Sequence, residues 1–154
     1  MKLSKYIEHA RNFEYMSGIE RDKVRVKQTS EVFTRTKDVL ICLDEFDESI
    51  WLDNNQKFID PACGDGQFLV EVVIRKLERS GCTLEQALST TYGVDIMPDN
   101  IELCRKRLMG TEPTEQIIKI LNNNIVCADA LTYDYSFGQP VGIEKYFHKI
   151  IQQS

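Results

Sequence analysis

Lys57-Phe58-Ile59-Asp60-Pro61-Ala62-Cys63-Gly64-Asp65-Gly66-Gln67-Phe68-Leu69 is the stretch whose reading decides the fold. Its apolar start reads as a short buried strand, the segment through Gly66 as a glycine-containing turn, and the residues from Gln67 as the start of a helix. This strand-turn-helix arrangement presents backbone N–H groups to a ligand. Gly64 and Gly66 let the backbone approach that ligand and take φ angles that a Cβ would penalise. A glycine pair by itself fits any tight turn of an α/β protein; Asp-Pro-Ala-Cys-Gly at the end of a strand is far more specific.

Working outward from this stretch, the C-terminal side alternates helices and strands. Gln67 to Arg79 has Phe68, Leu69, Val72, Val73 and Leu77 on one helical face, and Ser80-Gly81 ends it. Thr83-Leu84-Glu85-Gln86 has the form of a capping box for a short helix through Leu88. Thr91 to Asp95 is a second short strand ending in an acid, and Pro98 opens a helix with Ile101, Cys104 and Leu108 inward. Thr111 to Asn122 is a further helix with Pro113 in its first turn and Ile117, Ile118 and Leu121 inward. Asn124 to Leu131 then reads as a third strand carrying Asp129 towards its end. An alternation of this kind predicts a parallel sheet.

The N-terminal side is more helical. Ser4 to about Tyr15 has an amphipathic pattern with Ser4 as N-cap and Leu3, Tyr6, Ile7, Ala10 and Phe13 at helical spacing. Arg21 to Lys27 alternates charged and apolar residues, as a half-exposed strand or arm does, its Lys and Arg serving as edge protection rather than phosphate contacts. A helix follows with Val39, Leu40, Leu43 and Phe46 on one face. Asp44 to Glu48 is read as a solvated acidic end of that helix rather than a metal site, because metal ligands must converge. Trp51 to Asn55 is read as a loop.

Composition narrows the classes. At 154 residues the chain is read as one domain, spanning 1-154, with a flanking segment over 1-55, a core over 56-135 and an amphipathic helix over 140-154. Short apolar runs and the opening Met1-Lys2-Leu3-Ser4 give no membrane span and no signal peptide, so the expected location is cytoplasmic. Five scattered cysteines without C-x-x-C spacing argue against a disulfide framework and against zinc, and no metal site is expected. A net charge of −5 disfavours strong nucleic-acid binding by this chain alone, since phosphate contacts dominate such affinity.

The Asp60 to Gly66 wording resembles the cofactor motif of S-adenosylmethionine (SAM) dependent N6-adenine DNA methyltransferases, commonly Asp-Pro-Ala/Ser-Cys-Gly-Ser/Thr-Gly. Two more segments share the likeness. Glu31-Val32-Phe33-Thr34 is similar to the family's Gly-Glu-Val-Phe-Thr-Pro, with Ser30 for Gly and Arg35 for Pro. Tyr92-Gly93-Val94-Asp95-Ile96-Met97-Pro98 resembles the family's second strand end. The resemblance covers roughly residues 30 to 131 and implies a Rossmann-like SAM methyltransferase core, a three-layer αβα arrangement that is incomplete here, with helical additions at both ends. It implies SAM as cofactor, held by Phe33 and Thr34 at the methionine end, by the turn Asp60, Pro61, Ala62, Cys63, Gly64, Asp65 and Gly66, and by Phe68. Asp95 would accept from ribose hydroxyls. Ile96 would pack on adenine, and Asp129, with Ala130 and Leu131, would read the adenine amine. Asp65 stands where the family has Ser or Thr and would bring a carboxylate near the cofactor's charged end.

The family's catalytic motif, Asn/Asp/Ser-Pro-Pro followed by an aromatic residue, is absent: Pro61, Pro98, Pro113 and Pro140 are isolated. No catalytic residue is therefore assigned. The resemblance implies a SAM-binding protein of the DNA methylation, restriction-modification kind whose methyl transfer would need a completing chain, with DNA engaged only indirectly or through that partner. The alternatives are a noncatalytic module that sequesters or senses SAM or acts as a decoy subunit, or an enzyme that degrades SAM using Asp65 or Tyr133. Family sheets flank the first strand on both sides, so its far edge would need a cover. The expected partner is a second copy or another subunit over that edge and over the tail, where Ile143, Tyr146, Phe147, Ile150 and Ile151 recur at helical spacing and His148 lies off the face.

Overall fold

A computed structural model describes residues 1–12 and 34–139. Three strands, β1 (Phe58–Asp60), β2 (Thr91–Asp95) and β3 (Ile125–Cys127), form a parallel sheet in the order β1-β2-β3. Phe58 pairs with Thr91 and Asp60 with Gly93, while Gly93 pairs with Ile125 and Asp95 with Cys127. In chain order the helices are α1 (Leu3–Arg11), α2 (Thr36–Asp44), α3 (Glu48–Leu52), α4 (Gln67–Ser80), α5 (Leu84–Ser89), α6 (Pro98–Met109) and α7 (Glu115–Asn124). The architecture is mixed α/β. No described helix is long and apolar enough to cross a membrane.

Helices α4, α6 and α7 pack on the strands and α4 on α6, as the right-handed crossovers usual between parallel strands would place them on one face. Their closeness is set at Gly93, where an added Cβ would lie 2.6 Å from Leu69 Cδ1 and 3.0 Å from Cys63 Sγ. At Gly66 the same atom would meet Cys104 Sγ at 2.8 Å, and φ is +96°. The opposite face is covered differently. Tyr92 points there by strand alternation and meets the Phe137 ring at 4.7 Å, with Tyr133 and Tyr135 clustered behind. Val94 is fully buried, yet Ile59 on β1 is half exposed. The described residues thus build one helical layer, one sheet and an aromatic flap, and they do not complete a three-layer αβα stack. Within them β1 is an edge strand.

Helix α4 departs most from its expected one-sided stripe, being buried nearly all round, charges included. Glu71 takes a two-pronged ion pair from Arg11 at 2.9 and 2.7 Å. Arg75 bonds Asp44 at 2.6 Å and the Leu40 carbonyl at 3.1 Å and lies over Trp51. The Lys76 ammonium donates to the Gln56 carbonyl at 3.2 Å and to Thr90 Oγ1 at 2.5 Å, above the Phe58 ring. Each of these long side chains crosses apolar surface to reach a partner on a neighbouring element.

Several boundaries differ from the sequence reading. Helix α1 begins at Leu3 behind Lys2 with no side-chain cap, so Ser4 lies inside it; tertiary contacts such as the Tyr6 hydroxyl on the Leu108 carbonyl at 2.9 Å hold it instead. Helix α2 stops at Asp44, leaving Phe46 beyond its end. The expected loop around Trp51 is the short helix α3, started by Asp47, which accepts the Ser49 N–H, and fixed by a buried Trp51 stacked on Phe58 at 4.9 Å. Asp44 and Glu48 of the acidic run are exposed but paired, with Arg75 and Arg79. Helix α7 starts after Thr114, so Pro113 precedes its cap. Strand β3 ends at Cys127, and Asp129 opens a turn closed by Tyr133 N–H on its carbonyl at 2.8 Å. A short polar side chain competing for local backbone bonds explains that early stop. The capping box at Thr83 and Gln86 and Pro98 in the first turn of α6 are as read. Phe33, the Arg21 to Lys27 arm and the tail helix with His148 lie outside the described residues.

Two outcomes follow from this packing. Gly93→Ala forces a methyl into Leu69 and Cys63 and lowers stability in urea by about 1–3 kcal/mol; an unchanged midpoint would contradict the close α4–β2 contact. Burial lowers the Lys76 ammonium to about 8. With a folded value below the unfolded one, the penalty is full below about 8. It fades as pH climbs towards the unfolded value of about 10.4. Urea titrations at pH 7 and 9.5 should show a gain in stability in the native chain and not in Lys76→Met.

Candidate functional site at the carboxyl ends of the strands

The β1–α4 turn is fastened from inside. Asp60 Oδ1 accepts the Ala62 N–H at 3.0 Å, the Cys63 N–H goes to the Val94 carbonyl at 2.9 Å, and the Gly66 N–H to the Cys63 carbonyl at 2.9 Å. Asp95 reaches across from β2: Oδ1 accepts the Gly64 N–H at 3.2 Å, and Oδ2 accepts from Met97 N–H at 3.0 Å and Asn100 Nδ2 at 3.1 Å. Gly64, at φ +54°, has open space where a Cβ would stand. The N–H groups of Ala62 and Gly64 are therefore turned towards carboxylates rather than outward to an anion.

Asp60 is half-buried, and burial pushes its carboxyl above the usual range; the Ala62 N–H opposes this and the neighbouring Asp95 charge adds to it. Cys63 is buried, and hydrogen bonding with the Cys104 thiol, then burial, raise it far above the thiol range. It is a protonated packing residue, not a nucleophile.

A cleft of about 450 Å³ opens between α2 and the β1–α4 turn, with Thr34, Phe46, Phe58, Asp60, Gly64 and Phe68 among its lining residues. The structure thus brings Thr34, the turn and Phe68 together. Pro61 and Ala62 are both exposed, and Ala62 lines the cleft while Pro61 does not. Asp95 adjoins the turn through Gly64 but lies outside the cleft lining, and Ile96 beside it is 54% exposed. Asp129, Ala130 and Leu131 stand further along, past the end of β3, where Asp129 Oδ1 accepts the Leu131 N–H at 2.9 Å and the Leu131 side chain is almost fully exposed. Cleft and outer positions form a staggered row, each acid two residues further along its strand than the register partner of the last.

Asp65 is among the residues that line the cleft, with its side chain buried. Its side chain is 1% exposed, and Arg107 Nη1 lies 3.5 Å from Oδ1. The same guanidinium bonds the Asp65 carbonyl at 3.3 Å, the Ala10 carbonyl at 3.0 Å and Gln67 Oε1 at 2.7 Å. Gln67 in turn donates to the Thr34 carbonyl at 2.8 Å. Asp65 therefore braces the turn at the cleft, with its carboxylate held by Arg107.

Asn100, Gln67 and Arg107 were not among the candidates read from the sequence. A signal existed for two of them: Asn100 and Arg107 share the inward face of α6 with Ile101, Cys104 and Leu108, and a polar residue on a buried stripe requires a partner. The cleft wall from α2 and Phe46 depends on tertiary packing and had no comparable signal. Among the described residues no three His, Cys, Asp or Glu side chains gather as metal ligands. Comparison with family models, with curated proteins and with solved structures returns no match to this chain.

A group whose folded value is raised contributes stability fully below its unfolded value, about 3.9 for Asp, and loses it as pH rises through the folded one. Asp60→Asn keeps the acceptor for Ala62 and removes the charge. It should melt higher than the native chain at pH 7, with the gap closing near pH 4; a lower melting temperature at pH 7 would refute the unfavourable setting assigned to Asp60.

Proposed function

We propose that this chain binds SAM across the carboxyl ends of β1, β2 and β3, as the cofactor-binding part of an N6-adenine DNA methyltransferase-like protein with a Rossmann-like core. The observation that carries this reading is the sign of the turn. A nucleotide-phosphate loop points its N–H groups outward at an anion. Here Asp60 and Asp95 occupy the Ala62 and Gly64 N–H groups, so the loop meets its ligand with carboxylates. That suits hydroxyl and ammonium donors and a sulfonium centre, and repels phosphate.

On this reading Thr34, the turn and Phe68 take the methionine end, Asp95 accepts from the ribose hydroxyls, Ile96 and Leu131 pack on adenine, and Asp129 accepts from its amine. SAM supplies an activated methyl group on sulfur. The chain's own contribution is to hold that group in one place and direction, which is where much of the rate of such a transfer originates. Delivery to a DNA base is assigned to a completing chain, since no adjacent prolines supply the catalytic segment. A homo-oligomeric copy or a second subunit would meet the edge of β1 beside the half-exposed Ile59 and Phe46. The same missing motif favours, as a second reading, a module that binds SAM without transferring its methyl. For the third reading, SAM breakdown, both named residues have partners: Asp65 pairs with Arg107, and the Tyr133 hydroxyl accepts the Phe137 N–H at 2.9 Å.

Isothermal calorimetry with SAM, followed by chromatography of the incubated cofactor, tests the proposal. Saturable binding of SAM is expected, weakened by about 10–100-fold in Asp95→Asn, the worth of hydrogen bonds to a charged group. Absence of heat at millimolar ligand, where binding is worth only about −4 kcal/mol, would overturn it. S-adenosylhomocysteine formed only with DNA and a partner marks transfer, and unchanged SAM marks the module.

A further inference from the structure

We infer that Gln67 is a positioning residue of the cleft: its side-chain amide, oriented by Arg107, fixes the Thr34 carbonyl and with it the start of α2, the helix that walls the cleft across from the β1–α4 turn. The inference rests on the proposed function only for SAM as the ligand whose affinity reads it out.

The start of α2 has no cap of its own. The helix has nine residues, and its N-cap residue, Arg35, makes no side-chain cap bond. Arg35 pairs with Asp38 at 2.9 Å, but the pair is exposed and contributes little. A helix this short is marginal without tertiary contacts. Further along, α2 is tied to α4 by Arg75, which bonds the Leu40 carbonyl and Asp44, and its buried Val39 and Leu43 pack with Val72 and Trp51. At its start it is tied to α4 by a bond of 2.8 Å from Gln67 Nε2 to the Thr34 carbonyl. Thr34, Cys42, Leu43 and Gln67 all line the cleft, so the place where this bond sets α2 sets the width of the opening.

The chemistry of the position calls for an amide. A guanidinium offers only donors and a backbone carbonyl only accepts, so a group between them must do both. Gln67 Oε1 takes Arg107 Nη2 at 2.7 Å while Nε2 gives to Thr34, and those two partners leave the amide one orientation. Arg107 is itself held by the Ala10 and Asp65 carbonyls and lies beside the Asp65 carboxylate. Gln67 is 6% exposed and Arg107 3%, so water does not stand in for either bond. A methionine would fill the same space without orienting α2. A glutamate would keep the acceptor for Arg107, and its charge would strengthen that bond, while setting a second acceptor against the Thr34 carbonyl.

That difference makes Gln67→Glu the test, with Gln67→Met as a second variant that carries the same measurements should the first fail to fold. Amide hydrogen exchange is followed by NMR on the full chain, and SAM is titrated by calorimetry. The amides of Asp38 and Val39, which bond the Arg35 carbonyl at 3.0 and 3.1 Å, report on the first turn of α2. In Gln67→Glu they should exchange roughly tenfold faster and SAM should bind roughly tenfold more weakly, the worth of one hydrogen bond. The melting temperature and exchange along α6 should stay as in the native chain, because the bond to Arg107 is kept. A lower melting temperature with faster exchange throughout would mark Gln67 as a structural residue and overturn the inference. So would unchanged exchange at Asp38 and Val39, or faster exchange there with native affinity for SAM. If SAM does not bind the native chain the proposed function fails, and exchange at Asp38 and Val39 alone decides whether Gln67 sets the α2 wall.

Discussion

Everything at the carboxyl ends of the strands depends on how closely α4 lies on β2, and Gly93 sets that distance. Leu69 and Cys63 occupy the space where a side chain at Gly93 would stand. Because Cys63 is thereby held against β2, its N–H meets the Val94 carbonyl, the turn runs along the top of the sheet, and Gly64 arrives under the Asp95 carboxylate. A residue one methyl larger at Gly93 would displace the helix that begins immediately after the turn. Protein interiors are packed densely enough that such a displacement is transmitted rather than absorbed.

The second constraint is the burial of charge along α4. Glu71, Arg75 and Lys76 reach partners on α1, α2 and the loops at the other end of the sheet, while Arg107 on α6 clamps Asp65, Gln67 and Ala10. Buried ion pairs add little net stability because desolvation offsets much of the attraction, whereas removing one partner is severely costly. Their effect here is geometric. Arg107 and Gln67 connect α1, the turn and Thr34 through directional bonds, which an apolar contact of equal area would not orient.

The strand-turn-helix at Lys57 to Leu69 was legible because local chemistry dictates it: Gly64 and Gly66 adopt positive φ, and an apolar run precedes them. The capping box at Thr83 and the proline start of α6 were legible for the same reason. Trp51 was misread because a five-residue helix leaves too short a period to detect, and its burial depends on Phe58 and Arg75, distant in sequence. The pairing of Asp65 with Arg107 was not legible, because a turn motif states which residues are near a ligand and not which way each side chain points. Strand β3 was read too long because the apolar run from Ile125 to Ala128 resumes at Ala130 and Leu131, whereas the Asp129 side chain satisfies the backbone locally. The family-level reading rests on wording at Glu31 to Thr34, Asp60 to Gly66 and Tyr92 to Pro98, and the proposal of SAM takes from the structure the electrostatic sign of the turn.

That sign also links binding to stability. Asp60 is held in a setting that disfavours its charge, through burial and through Asp95, so part of the folding free energy is spent keeping an ionised group at the cleft. In the complex proposed above, a cation bound there would supply a partner for that charge. By linkage, whatever favours the ionised form of Asp60 favours the cation, and the cation favours ionised Asp60 to the same degree. In the SAM complex proposed above, the positive centre of the ligand would relieve that cost, and binding and stability would be linked through Asp60.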